Sequence, residues 1–391
     1  MLTEVTIRGF KAIKQATVAL GPLTLLIGRN GSGKSSFIES LQWLQEALFS
    51  GLDEATSRRF HEFSDLLNRR SKEIGIELWL KRPRSSEVHY SLFVGKSSVA
   101  GGARLRPIVT NEECVFGRTV AARKVLFSRK GLRGPPFRWL RDPRQKRARP
   151  LVIREGNALG LAYASAVRAP GAVDLEEYLR HAVFLRLSPE MLARQSRLHG
   201  QSSGPLLAED GSDLPNLVDK LSTQAKRRLA ARVASIIDGI QSVRVVRRAS
   251  LRWIIMRERM KSQGGNKDFD LPAWMLSEGT RRLVAIFTLL ELDPPPSLIV
   301  IEEVENGLDP WTLEIVLDAL RDAAANGIQI ILTTHSPFLL DHVEPEQVIH
   351  VRRSRGDTTY QVATSFDDIA KYEGVLAPGA MYLSKLFETK K

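Results

Sequence analysis

Residues 3–7 and Leu23–Ile27 are alternating or wholly apolar in the manner of short strands. The second run leads directly into Gly28-Arg29-Asn30-Gly31-Ser32-Gly33-Lys34-Ser35-Ser36, after which the apolar period lengthens. Phe37, Ile38, Leu41 and Leu44 recur at i, i+1, i+4 and i+7, so a helix starting at Lys34 presents one apolar face, and polar Gln45 and Glu46 follow it. Residues 74–80, 88–94 and 125–128 predict further strands. Residues 96–203 lack helical periodicity, are rich in Gly, Pro and Arg, and read as the variable part of the fold. Residues 213–237 predict a helix with Leu214, Leu217, Val218 and Leu221 on one stripe and Lys226, Arg227 and Arg228 opposite. No heptad series continues from it, so a long coiled-coil arm is not expected. Residues 262–267 read as a loop, 279–291 as a helix and 297–301 as a fully apolar strand. A helix over 310–326 and an apolar strand over 328–333 complete a βαβ unit suited to a parallel sheet. The pattern is that of an α/β chain in three parts: 1–95, 96–203 and 204–391.

The chain has 391 residues, 43% apolar and 26% charged, within the range of ordinary globular proteins. No run has the uninterrupted apolar length of a bilayer span, and residues 2–7 read as a strand, not a signal peptide. A soluble, cytoplasmic protein with no membrane partner is expected. Cys114 stands alone, which excludes an intramolecular disulfide and a cysteine-based zinc site, and its neighbours Val115 and Phe116 predict burial. The net charge of +13 favours polyanionic partners. The charge is clustered: Arg123, Lys124, Arg129, Lys130, Arg133, Arg138, Arg141, Arg144, Lys146, Arg147 and Arg149 share their segment with one acid, Asp142. Phe137 and Trp139 lie among them. Such a segment suits a nucleic-acid backbone, an acidic face of a protein partner, or a solvated surface. Arg141, Arg144, Lys146, Arg147 and Arg149 are the candidate DNA contacts. No helix-turn-helix or zinc module accompanies them, so sequence-specific recognition is not expected.

Gly28, four residues, then Gly33-Lys34-Ser35 make a complete Walker A loop between a strand and a helix. Glycines let several backbone N–H groups converge on a phosphate chain, and the helix N-terminus adds its positive dipole end. The candidate ATP-binding residues are Asn30, Gly31, Gly33, Lys34, Ser35 and Ser36, with Lys34 against the β/γ-phosphates and the Ser35 hydroxyl on Mg2+. Leu298-Ile299-Val300-Ile301-Glu302-Glu303 follows the Walker B pattern, a buried strand with two carboxylates at its C-terminal end. Alternation along a strand would turn the two acids opposite ways, Glu302 toward the metal and Glu303 toward the attacking water. Taken alone, the same motif also reads as a solvated acidic strand end.

Leu276-Ser277-Glu278-Gly279-Thr280-Arg281-Arg282 resembles the signature of ABC-type ATPases. Glu305-Asn306-Gly307-Leu308-Asp309-Pro310 resembles their D-loop, and Thr333-Thr334-His335-Ser336-Pro337 their switch-histidine segment. The opening Val5-Thr6-Ile7-Arg8-Gly9-Phe10-Lys11 and the segment Glu302–Leu308 are similar to the head ATPases of the OLD, SMC and RecF kind, especially compact bacterial ATPases of phage-defence operons. Val304 stands where that family usually has proline, and no Q-loop glutamine is identified. The resemblance implies an ABC-type P-loop ATPase head with a mixed sheet, an N-terminal antiparallel β-subdomain and a variable basic insertion. It implies ATP and Mg2+ as ligands and a homodimer in which Ser277 and Gly279 act on the partner's nucleotide. His335 would contact the γ-phosphate and Asp309 would organise the subunit boundary. OLD relatives carry a nuclease after the ATPase. The roughly fifty residues after His335 are fewer than a domain needs, so a separate nuclease or effector subunit is expected, with phage defence as the setting. The rival expectations are a DNA-binding or repair clamp that uses ATP for assembly and, disfavoured by the opening and the missing Q-loop, a transporter ATPase.

Overall fold

Alternation at the N-terminus builds an antiparallel sheet. Val5, Ile7 and Phe10 of strand Leu2–Phe10 are fully buried, and the strand pairs with Ile13–Ala19 on one side and Ile74–Lys81 on the other. Glu87–Ser98, Leu105–Phe116, Lys124–Lys130, Phe137–Trp139 and Arg149–Leu151 extend it in antiparallel succession to eight strands. The computed structural model describes residues 1–82, 87–98, 105–117, 124–130, 137–139, 149–151, 157–167, 169–197, 205–262, 265–366 and 375–387. They form two compact units, Met1–Arg180 with Val343–Lys391, and His181–His342.

In the first unit, Leu23–Ile27 runs parallel to Val348–Ser354, which turns back into antiparallel Asp357–Val362. Helix Lys34–Ser50 buries the expected Phe37, Ile38, Leu41 and Leu44. Trp43 is buried too, between Phe10 and Phe63 at ring separations of 6.3 and 6.4 Å. Gln45 is not the solvated end of the face: its amide is buried and donates to Leu179 O at 2.8 Å. Leu179 belongs to helix Pro170–Arg180, which the sequence pattern did not reveal. Its Ala172, Leu175 and Leu179 make a stripe only two turns long, within the Gly- and Pro-rich stretch. Cys114 is buried as expected, and burial pushes its thiol pKa well up. Glu112, on the same strand, is also fully buried and accepts hydrogen bonds from Tyr90 Oη at 3.0 Å, Gly160 N at 2.8 Å and Leu161 N at 3.0 Å. These bonds anchor the segment around residue 160 to the sheet.

The second unit holds the expected βαβ. Leu298–Ile301 lies parallel to Gln329–Thr334 across helix Pro310–Ala325, and Ala182–Leu185 joins the other edge, every strand residue buried. Two predicted elements differ. The single helix over 213–237 is two, Leu214–Lys220 and Thr223–Ala234. Leu221 is extended, and the Ser222 hydroxyl caps the second helix by accepting from Ala225 N at 3.1 Å. Arg228 is not simply solvated; with Arg232 it binds the buried carboxylate of Glu291, at 2.5 and 2.8 Å. Of the loop expected over 262–267, residues 263 and 264 lie outside the described residues, and the others belong to the antiparallel strands Leu251–Ser262 and Gly265–Pro272, which pair Lys261 with Asn266 and Ser262 with Gly265. No helix among the described residues is long and apolar enough to cross a membrane.

Candidate functional site

Strand Leu23–Ile27 delivers the chain to the loop with every residue buried. A side chain is excluded at both ends of the loop. A Cβ at Gly28 would collide with Val351 O, and Gly33, at φ 115°, would place one 2.6 Å from Thr358 Cγ2. The Tyr360 hydroxyl donates to Gly33 O at 2.8 Å while its ring packs on Phe37 at 5.6 Å, and burial pushes its pKa up, keeping it a donor. The buried Lys34 ammonium donates to Gly28 O at 2.5 Å and Arg29 O at 3.3 Å, so loop carbonyls aim it. Asn30 and Gly31 are exposed at the crest, and Ser35 and Ser36 are half-buried on the first helical turn. That helix has no side-chain cap and no acid in its first turn. Ser32 Oγ is buried without a hydrogen-bond partner among the described residues. An uncapped helix start, an aimed ammonium and an orphaned hydroxyl fit a phosphate chain.

The acidic motif lies in the second unit and departs from the strand-alternation argument. The strand ends at Ile301, and residues 302–307 form a turn in which Glu302 is buried and Glu303 exposed. Glu303 has a left-handed φ of 50°, a conformation costing about 1 kcal/mol or more for a residue with a Cβ. Its neighbours hold it there. Glu303 N donates to Thr333 Oγ1 at 2.9 Å, and Asn306 Nδ2 donates to Glu303 Oε2 at 2.6 Å. The other carboxylate oxygen, Oε1, lies 4.0 Å from His335 Nε2. Glu305 Oε1 in turn accepts from His335 N at 2.6 Å. Val304 N donates to Thr333 O at 3.2 Å, a bond that the family's usual proline cannot make. Glu303 and His335 are therefore brought together, with an exposed carboxylate available to take a proton from water. Thr333, Glu305 and Asn306 stood in the quoted motifs without assigned roles.

Ser277 is exposed and caps helix Glu278–Leu290, accepting from Thr280 N at 3.1 Å. A Cβ at Gly279 would lie 2.5 Å from Gly307 O, so the signature packs backbone to backbone on the turn after Glu303. Arg281 donates to Leu276 O at 2.8 Å and fixes the approach to the motif. Asp309 caps helix Pro310–Ala325, and bonds from the Thr312 hydroxyl at 2.6 Å and amide at 3.0 Å hold its carboxyl below the usual carboxylate range. Of the candidate DNA contacts, Arg141, Arg144, Lys146 and Arg147 lie outside the described residues, and Arg149 opens strand Arg149–Leu151.

A family model described as "AAA domain, putative AbiEii toxin, Type IV TA system" matches residues 23–341, a span that includes all of these motifs. The chain belongs to this family. It is an ABC-type P-loop ATPase head, an enzyme that hydrolyses ATP with Mg2+. A solved Smc head bound to the C-winged helix domain of ScpA has a similar fold, with a TM-score of 0.53 at 14% identity over 92% of this chain and 97% of that one. An Smc head with an extended coiled coil, bound to the C-terminal domain of ScpA derived from Pyrococcus furiosus, gives 0.50 at 12% identity over 95% and 99%. Among curated proteins, the energy-coupling factor transporter ATP-binding protein EcfA2 of Mycoplasmopsis synoviae is 34% identical over 100 residues. That match spans 25% of this ATPase and 30% of EcfA2. Mg2+, when bound, neutralises charge on the phosphates of ATP.

Proposed function

We propose that this ATPase works as a homodimer in which Ser277 and Gly279 of one protomer complete the nucleotide site of the other. The observation carrying this reading is the exposure of the signature. Ser277 is exposed and Gly279 half-buried, Trp274 and Met275 just before them are more than half exposed, and so is Trp311 on the first turn of helix Pro310–Ala325. Large apolar side chains at the edge of an exposed helix N-terminus suit a surface that closes on a partner's phosphates. Within the composite site, Lys34 and the loop amides bind the phosphate chain, Glu303 accepts the proton of the attacking water, and His335 contacts the γ-phosphate. Asn306 and Thr333 are positioning residues for Glu303.

The nucleotide cycle would gate a separate DNA-directed or nuclease effector, with anti-phage defence as the setting. The family's toxin–antitoxin description supports that setting. Direct DNA contact is assigned to Arg141, Arg144, Lys146, Arg147 and Arg149. The test is Ser277→Arg, which places a bulky cation on the signature surface while leaving the phosphate loop untouched. Nucleotide affinity of the monomer should stay within about twofold, and ATP-dependent dimerisation and turnover should be lost. Normal dimerisation by this variant would remove the signature from the interface.

A further inference from the structure

Where strands Leu2–Phe10, Ile13–Ala19 and Glu87–Ser98 meet the segment before Ile74–Lys81, the first unit has an open cavity of about 540 Å³, within the range of small-molecule sites. No residue of the phosphate loop lines it. Four segments of the chain each bring a cation to it: Arg8, Lys14, Lys72 and Lys96. Glu73 is the one acid among the described lining residues, and its carboxylate accepts a hydrogen bond from Thr110 Oγ1 at 3.4 Å. Arg8 is anchored by Glu77 at 2.9 Å, whereas Lys14, Lys72 and Lys96 are exposed and their ammonium groups make no ion pair among the described residues. Gly9 and Gly95 line the cavity with backbone alone, and neither accepts a side chain. A Cβ at Gly9 would lie 2.1 Å from Glu73 O, and one at Gly95 would lie 2.9 Å from Thr110 Cγ2. Like charges gathered round one cavity repel one another, a cost that a bound anion removes.

Two further observations set the kind of anion. No aromatic ring lines the cavity among the described residues, so nothing there stacks on a base. The positive charge also stops at the rim. Across the sheet Glu77 stands opposite Ser91, and Ser91 opposite Glu113, which puts both carboxylates on the face that carries Arg8. A nucleic-acid backbone continuing over that face would meet them, whereas a compact anion would not.

We infer that this cavity binds a compact, multiply charged oligophosphate. The ammonium groups of Lys14, Lys72 and Lys96, with the Arg8 guanidinium, take its oxygens. The site lies within one unit of one chain and needs neither ATP nor the dimer.

The test uses the full-length chain carrying Lys34→Ala, which disables the phosphate loop, and titrates it with inorganic tripolyphosphate by calorimetry at fixed ionic strength. Saturable binding is expected. Lys72→Glu with Lys96→Glu should weaken it about tenfold or more, and Lys72→Arg with Lys96→Arg should keep it within about threefold. Lys72→Gln with Lys96→Gln should give a smaller loss in the same direction, which covers the case of a misfolded reversal. A labelled DNA duplex at physiological salt, followed by anisotropy, should bind the reversal within about threefold of its parent, since charges beyond a Debye length are screened. A loss of duplex binding as large as that of tripolyphosphate would make the cavity part of a nucleic-acid track and overturn the proposal. In the otherwise native chain the reversal should leave MgATP affinity and kcat within about twofold, so a fault in the phosphate-loop assignment would show separately. Absence of saturable tripolyphosphate binding overturns the proposal. So does binding that ignores both the reversal and the neutral pair.

Discussion

Glu303 is a residue held against its backbone preference. Its left-handed φ of 50° turns the carboxylate out of the strand line, and three contacts keep it there: Thr333 Oγ1 on its amide, Asn306 Nδ2 on one oxygen, and His335 4.0 Å from the other. A general base works when its free oxygen is aimed, and a misplacement of about 1 Å can cost on the order of a hundredfold in rate. Asn306 is exposed and its side chain makes no other hydrogen bond among the described residues, so Asn306→Ala should leave folding and ATP affinity close to native. The kcat should fall about tenfold or more while KM stays within about twofold, the pattern of an interaction realised in the transition state. An unchanged kcat from steady-state phosphate release would show that Asn306 does not position the carboxylate.

Among the elements, the signature helix and the turn after Walker B are joined through two glycines. A methyl at Gly279 would lie 2.5 Å from the Gly307 carbonyl, and Gly307 itself has φ 71°. Gly279→Ala should therefore push the signature off the turn, costing about 1–3 kcal/mol by overpacking. Lower thermal stability and reduced ATPase activity are expected together; a variant with native melting and native turnover would show that the contact is not tight. This contact joins residues far apart in sequence, and the same distinction separates what could be read beforehand from what could not. The Walker A loop, Walker B strand, signature and switch histidine are contiguous, and each carries its chemistry within a few residues. The supports of the phosphate loop are not contiguous: Val351, Thr358 and Tyr360 follow it by more than three hundred residues and have no pattern of their own. Helix Pro170–Arg180 was hidden because its stripe is short, and the break at Leu221 because apolar period outweighed a single capping serine. The division of labour between Glu302 and Glu303 was assigned from strand alternation, whereas a turn conformation exposes one and buries the other.

For the whole molecule, two properties remain to be joined: the ATPase head and the cluster of positive charge along residues 123–149. The net charge is +13, and the segment containing Arg144, Lys146 and Arg147 contributes strongly to it. If that segment follows a phosphate backbone, log affinity for duplex DNA should fall linearly with log salt at about −0.9 per phosphate neutralised. Replacing Arg144, Lys146 and Arg147 with Ala should weaken all DNA sequences alike and flatten the slope by roughly two to three units. An unchanged slope in fluorescence anisotropy would assign the segment to a protein partner. The central claim, that ATP closes two heads on each other and Glu303 opens them by promoting hydrolysis, is tested most directly by sedimentation velocity of Glu303→Gln with and without MgATP. The amide cannot accept the water's proton, so the variant should bind ATP, fail to hydrolyse it and accumulate as a stable dimer that forms only with nucleotide. A Glu303→Gln protein that stays monomeric with ATP bound, or that turns ATP over at the native rate, would contradict it.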